Sequence, residues 1–145
     1  LPRTSHGSTL SRVVHALLAT RTGDRGLGWQ LYRQALTSDL ADIQGGTTAE
    51  GIHTGVMAGT VMVTLRAYAG LTLGGETLAL APRLPTHWRK LAFGLHYRGD
   101  HYRFEVTPGR VSILARDGRH GSIRVDGDTV ALEPGRWTLV TPGEG

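Results

Sequence analysis

Cysteine is absent from the 145-residue sequence. This excludes a disulfide framework, thiolate metal sites and a cysteine nucleophile, and it fits a reducing compartment, so a cytoplasmic location is expected. Also missing is any unbroken apolar span of the ~20 residues that a membrane crossing needs. The nearest approach, Ile52 to Leu73, is interrupted by His53, Arg66 and several Thr and Gly. The opening stretch LPRTSHGSTLSRVVHALL lacks the ordered charged region, apolar core and small-residue cleavage site of a signal peptide. The chain starts with Leu1 rather than Met, so the expectation is a piece of something longer.

A basic patch is missing too, although the net charge is +4. Arg83, Arg89, Arg98, Arg103, Arg110, Arg116, Arg119 and Arg124 stand singly, with Glu76, Asp100, Glu105, Asp117, Asp126, Asp128 and Glu133 interleaved. Nucleic-acid surfaces show clustered cations or an aromatic stacking platform, and neither is present, so no nucleic-acid partner is expected. The seven His form no ligand pair with a carboxylate at metal spacing, so no metal and no cofactor are expected. What remains is a globular composition, 39% hydrophobic and 19% charged.

Two hydrophobic periods divide the chain. Leu10, Val13, Val14, Leu17 and Leu18 follow the helical i, i+3, i+4, i+7, i+8 spacing, with Gly23-Asp24 as a stop. Leu27, Leu31, Ala35 and Leu36 continue in a second helix. SDLADIQGG reads as a loop, and a third helix is predicted from about Thr48 to Ala69. That third helix is apolar on most sides, so it needs neighbours that three helices do not supply. From Glu76 the period becomes two: LAFGLHY, HYRFEV, RVSILA, SIRVDG, DTVALE and RWTLV alternate between Gly, Pro and Asp turns. The predicted architecture is an α+β two-part chain, helices over residues 1–75 and a small antiparallel β-sandwich over 76–145.

The stretch TTAEGIHTGVMAGT carries the candidate chemistry. Thr47 and Glu50 have capping-box spacing, with Thr47 as N-cap and Glu50 reaching back to it. A helix opening offers free N–H groups and about half a positive charge to an anion. His53 would sit one turn inside, and Gly51, Gly55 and Gly59 form a bare stripe. Two readings stay open at this point. The glycines are either a packing device or the wall of an anion site, and SHGSTLS, with Ser8 and Ser11 at cap spacing, poses the same choice.

HGSTLSRVVHALLATRTGD, SDLADIQGGTTAEGIHTGVMAGT, YAGL and LALAPRLPTHWRKLAFGLHYRG, in that order from Ser5 to Gly99, resemble the C-terminal part of glycoside hydrolase family 65. Pro82, Leu84, Pro85 and Trp88 add a specific motif to EGIH…MAGT. The resemblance implies the last helices of an (α/α)6 barrel followed by a C-terminal β-domain, with the rest of the barrel as partner. It implies an inverting phosphorylase acting on an α-glucosyl disaccharide such as maltose, trehalose or kojibiose, with inorganic phosphate as co-substrate. A glutamic acid protonates the leaving oxygen while phosphate attacks from the opposite face, giving β-glucose 1-phosphate. It further implies phosphate binding by Ser8, Thr9, Thr47, Thr48, His53, Gly59 and Thr60, with Ser11 and Gly55 secondary, and a homodimer.

No segment here matches the one that carries the family's general acid, so these residues alone are expected to be inactive. In a hydrolase of the same family, Glu50 is the one acidic residue of the motif placed to activate water. Two readings of other classes remain. One is a carbohydrate-binding module using Trp88, Trp137, Tyr97 or Tyr102, which at alternating strand positions also fit a core. The other is a structural subunit that completes a barrel supplied by another chain.

Overall fold

The computed structural model describes residues 9–41 and 51–141. The chain divides after Ala67 into two compact units. In the first, α1 (Thr9–Arg21), α2 (Arg25–Leu36) and α3 (Thr54–Val63) pack on one another, and α3 runs on into a π-helical turn, Thr64–Tyr68. Gly23 at φ +90° stops α1, and the Asp24 side chain caps α2 by accepting the Leu27 N–H at 3.0 Å.

α1 buries one face and exposes another. Val13, Ala16 and Ala19 are buried, whereas Leu10, Val14 and Leu18 are each 51% exposed, forming an apolar stripe at four-residue intervals. On α3, Val56, Thr60 and Val63 are buried while Val61 is 58% exposed. Small residues stand where the helices approach most closely. A β-carbon on Gly28 of α2 would collide with Thr20, and one on Gly59 of α3 would lie 2.5 Å from Val13 Cγ1. Tyr32 and Thr64 link α2 to the end of α3 through their hydroxyls at 2.7 Å.

α3 begins later than its sequence suggests. Helical structure starts at Thr54, with His53 as the N-cap residue, and Gly51 at φ +90° stands in the left-handed region that a helix cannot continue through. The predicted opening at Thr47–Thr48 is therefore corrected. His53 precedes the first turn of α3 instead of lying one turn inside it.

The second unit holds two sheets. β2 (Leu91–Tyr97), β3 (Asp100–Thr107), β4 (Arg110–Ala115) and β7 (Trp137–Val140) form an antiparallel sheet in the order β2-β3-β4-β7. β1 (Ala79–Leu80), β5 (Ser122–Val125) and β6 (Asp128–Ala131) form the other, in which the short β1 pairs parallel with β5. Alternation fixes the buried face: Tyr102, Phe104 and Val106 of β3 point inward beside Val111, Ile113 and Ala115 of β4, and Leu80, Ile123 and Val125 complete the core. Arg98 and Gly99, both at positive φ, make the two-residue β2–β3 turn. Residues 68–75 lie with this unit, because Tyr68 O and Gly70 O accept the Arg83 and Ala81 N–H groups and Thr72 bridges to Ala79.

Candidate functional site

The helical unit brings two chain segments to one end. Leu10 meets Gly55, where an added β-carbon would lie 3.3 Å from Leu10 Cδ2, and one turn on Val13 meets Gly59. Both contacts advance in the same direction along both helices, so α1 and α3 run parallel and their first turns are neighbours. The positive ends of two helix dipoles therefore open on the same side. Thr9, the first residue of α1, stands at this end.

His53 is held there by a residue that no local spacing singles out. Asp39, three residues beyond the end of α2, accepts the His53 backbone N–H on Oδ2 at 2.9 Å and meets Nδ1 with Oδ1 at 2.7 Å. Its side chain is 9% exposed, against 25% for the histidine. Burial pushes the Asp39 carboxyl upward, but its bonds to the His53 ring and backbone N–H outweigh that and hold it below the usual carboxylate value. The carboxylate thus does two things. It covers a backbone N–H at the α3 opening, and it fixes the imidazole's rotation and the proton on Nδ1, as a carboxylate does behind a working histidine.

The other expected residues fall into three groups. Ser8, Thr47, Thr48 and Glu50 lie outside the described residues, as does the side chain of Thr9. Gly55 stands in the first turn of α3, next to His53. Gly59 and Thr60 sit about one turn deeper, where Gly59 receives Val13 and the buried Thr60 hydroxyl donates to Met57 O at 2.7 Å. In α1, Ser11 O accepts a hydrogen bond from His15 Nδ1 at 2.7 Å. Among the described residues no group of three His, Asp or Glu gathers to hold a metal, and no helix is long and apolar enough to cross a membrane.

The aromatic candidates of the β unit differ in exposure. Tyr102 is buried at 3%, Tyr97 and Trp88 are partly covered, and Trp137 is 45% exposed on the edge strand β7. Trp88 packs edge-on against Tyr68 at 5.3 Å, a structural contact that ties the PRLPTHW motif to residue 68.

Comparison with known proteins divides the chain in two. The model of the glycosyl hydrolase family 65 central catalytic domain matches residues 1–62, and that of the family's C-terminal domain matches residues 71–132. An uncharacterized glycosyl hydrolase of Mycobacterium tuberculosis is 40% identical over 87% of this chain and 9% of its own length. Trehalose 6-phosphate phosphorylase of Lactococcus lactis is 43% identical over 79% of this chain and 15% of its own length. The chain therefore spans a small part of the curated relatives it matches. A solved structure titled "Putative kojibiose phosphorylase from human microbiome" shares the fold with a TM-score of 0.84 at 24% identity, over 99% of this chain and 21% of that one. The chain belongs to glycosyl hydrolase family 65.

Proposed function

We propose that the helical unit supplies one wall of the phosphate pocket of an inverting, cytoplasmic disaccharide phosphorylase. The complete enzyme cleaves an α-glucosyl disaccharide with inorganic phosphate to give β-glucose 1-phosphate. The observation that carries this reading is the neighbouring first turns of α1 and α3, with His53 clamped by Asp39 at their mouth. Two helix openings on one side favour an anion. A histidine gripped at Nδ1 directs its other nitrogen in a fixed direction, and as an imidazolium it makes a charge-assisted bond to phosphate. Ser8, Thr9, Thr47 and Thr48 supply further donors from the two approaches. Gly59 and Thr60 serve the pocket from behind, by setting the distance between the helices. The relative named trehalose 6-phosphate phosphorylase supports phosphorolysis as the chemistry.

In this reading phosphate takes the place that water occupies in an inverting hydrolase, opposite a glutamic acid supplied by another part of the enzyme. The exposed stripe Leu10, Val14 and Leu18, with Val61 of α3, packs against the remaining helices of the (α/α)6 barrel. Asp39 is a poor candidate for a water-activating base. Both its oxygens are engaged by His53 and its carboxyl is held low, whereas a general base works best near the operating pH. Glu50 stays the candidate base of the hydrolase alternative.

The test is His53→Ala in a complete enzyme carrying this segment. Loss of a hydrogen bond to a charged group should raise the KM for phosphate by about 30-fold, with the KM for disaccharide nearly unchanged. Unaltered phosphate dependence would remove His53 from the site. Free glucose as the sole glucosyl product, with no glucose 1-phosphate, would hand the reading to the hydrolase.

A further inference from the structure

The β unit contains buried polar atoms that the phosphate reading does not use. Tyr102 is 3% exposed, and its hydroxyl, beside the Asp100 carboxylate, makes no hydrogen bond of good geometry; Nδ1 of His120 is likewise buried and makes none. Buried polar groups are nearly always satisfied, and these two stand on one shared cavity. Both residues line the same cavity of about 150 Å³, with Glu76, Thr77, Tyr97 and Ser122 among its other walls. Nearby, the fully buried Asp100 shows what a satisfied group looks like here: its two oxygens accept the Asp117 and Arg119 N–H groups at 3.0 Å each.

We propose that this cavity binds one neutral sugar ring, with the Tyr102 hydroxyl and His120 Nδ1 as its buried hydrogen-bonding partners. A space of that volume holds about five waters at ~30 Å³ each, or a single pyranose ring, but not a whole disaccharide. The chemistry selects a neutral ligand. The buried Asp100 carboxylate lies beside Tyr102, so an anion at that hydroxyl would meet negative charge. Asp100 stays ionised because its backbone N–H partners outweigh the burial that would raise its pKa. Burial first, and the Asp100 charge second, push the Tyr102 phenol up to about 12, so it remains an O–H group. A cation would need clustered ligands, and among the described residues no such group forms. A sugar hydroxyl both donates and accepts, which suits a phenol and an imidazole nitrogen equally.

The wall is also held in advance. Tyr97 donates its hydroxyl to Leu73 O at 3.2 Å and Gly75 O at 3.4 Å, which fixes its ring against the cavity as an apolar surface for the sugar's C–H face. Arg98 bonds Glu76 O at 3.2 Å and Gly75 O at 3.3 Å, tying the Gly75–Glu76 approach to the β2–β3 turn. Less ordering is then left for the moment of binding.

The full chain, titrated with glucose, maltose and trehalose while backbone amide shifts are followed, tests this. Expected are saturable shifts at Thr77, Tyr97, Gly121 and Ser122 that inorganic phosphate does not produce. Tyr102→Phe and His120→Ala should each weaken them about tenfold, the loss of one hydrogen bond, with thermal melts showing both variants folded. His53→Ala should leave these shifts intact, which separates this site from the phosphate reading. Sugars that move none of these amides, or that bind both variants as well as the parent, would overturn the proposal and leave the cavity to water.

Discussion

The Asp39 carboxylate takes both hydrogen-bonding faces of His53 that it can reach, the backbone N–H at 2.9 Å and Nδ1 at 2.7 Å, across 14 residues of sequence. One group thus ties the end of α2 to the start of α3. Replacing it with Asn keeps the shape and removes the charge. In the complete enzyme Asp39→Asn should raise the phosphate KM by about tenfold, less than His53→Ala, as is usual for a residue that orients another. Steady-state kinetics with phosphate varied at saturating disaccharide would check this.

Acid should break the same link. The Asp39 carboxyl titrates below its ordinary value of 3.8 when folded, so its contribution is fully present above about that pH and is lost as pH falls through the lower folded value. The His53 amide resonance, whose N–H donates to Asp39, should therefore move with a midpoint below 3.8. A midpoint above it would mean that the carboxylate is not bonded as described.

Two glycines on α3 should respond oppositely to the same substitution. Gly55→Ala places a methyl 3.3 Å from the mobile tip of Leu10, and helix propensity should prevail, giving about 0.5–1 kcal/mol of added stability. Gly59→Ala drives its methyl to 2.5 Å from Val13 Cγ1, and overpacking should cost about 1–2 kcal/mol net. Chemical denaturation of the two variants in parallel would show the split.

Asp100→Ala should be the more damaging change in the β unit. It strips the Asp117 and Arg119 N–H groups of their acceptor in a fully buried position, at a cost of about 2–4 kcal/mol. The loop between β4 and β5 should lose amide-exchange protection first. Because the Asp100 carboxyl is also depressed, its contribution holds above 3.8 and fades on acidification below that.

The parts of this molecule written locally were readable. LAFGLHY alternates and becomes β2, RGD becomes the turn, and Gly23-Asp24 ends one helix and caps the next. The start of α3 was not readable, because Thr47 and Glu50 make a valid local signal while Gly51's backbone and a distant carboxylate decide where helical structure begins. Asp39 precedes the motif in the loop without motif spacing of its own, because a partner 14 residues away leaves no periodic trace. The apolar stripe of α1 gave the helix but not its inward face. Close approach selects Val13 and Ala16 for burial and leaves the larger Leu10 and Leu18 outside. For the candidate site, His53 and the opening of α1 carry a sequence signal, whereas the true opening of α3 does not, and only the glycine contacts reveal that the first turns of α1 and α3 share an end.

Gly59 stands five residues into its helix, roughly 7 Å along the axis from Thr54. Its missing side chain sets the gap between two parallel rods, and the same gap separates their electropositive tips. A methyl added there would pry the tips apart without touching anything held between them. On the proposed phosphate reading, affinity for an oxyanion would then be tuned by remote carpentry at residues 13 and 59, while every liganding atom stays the same.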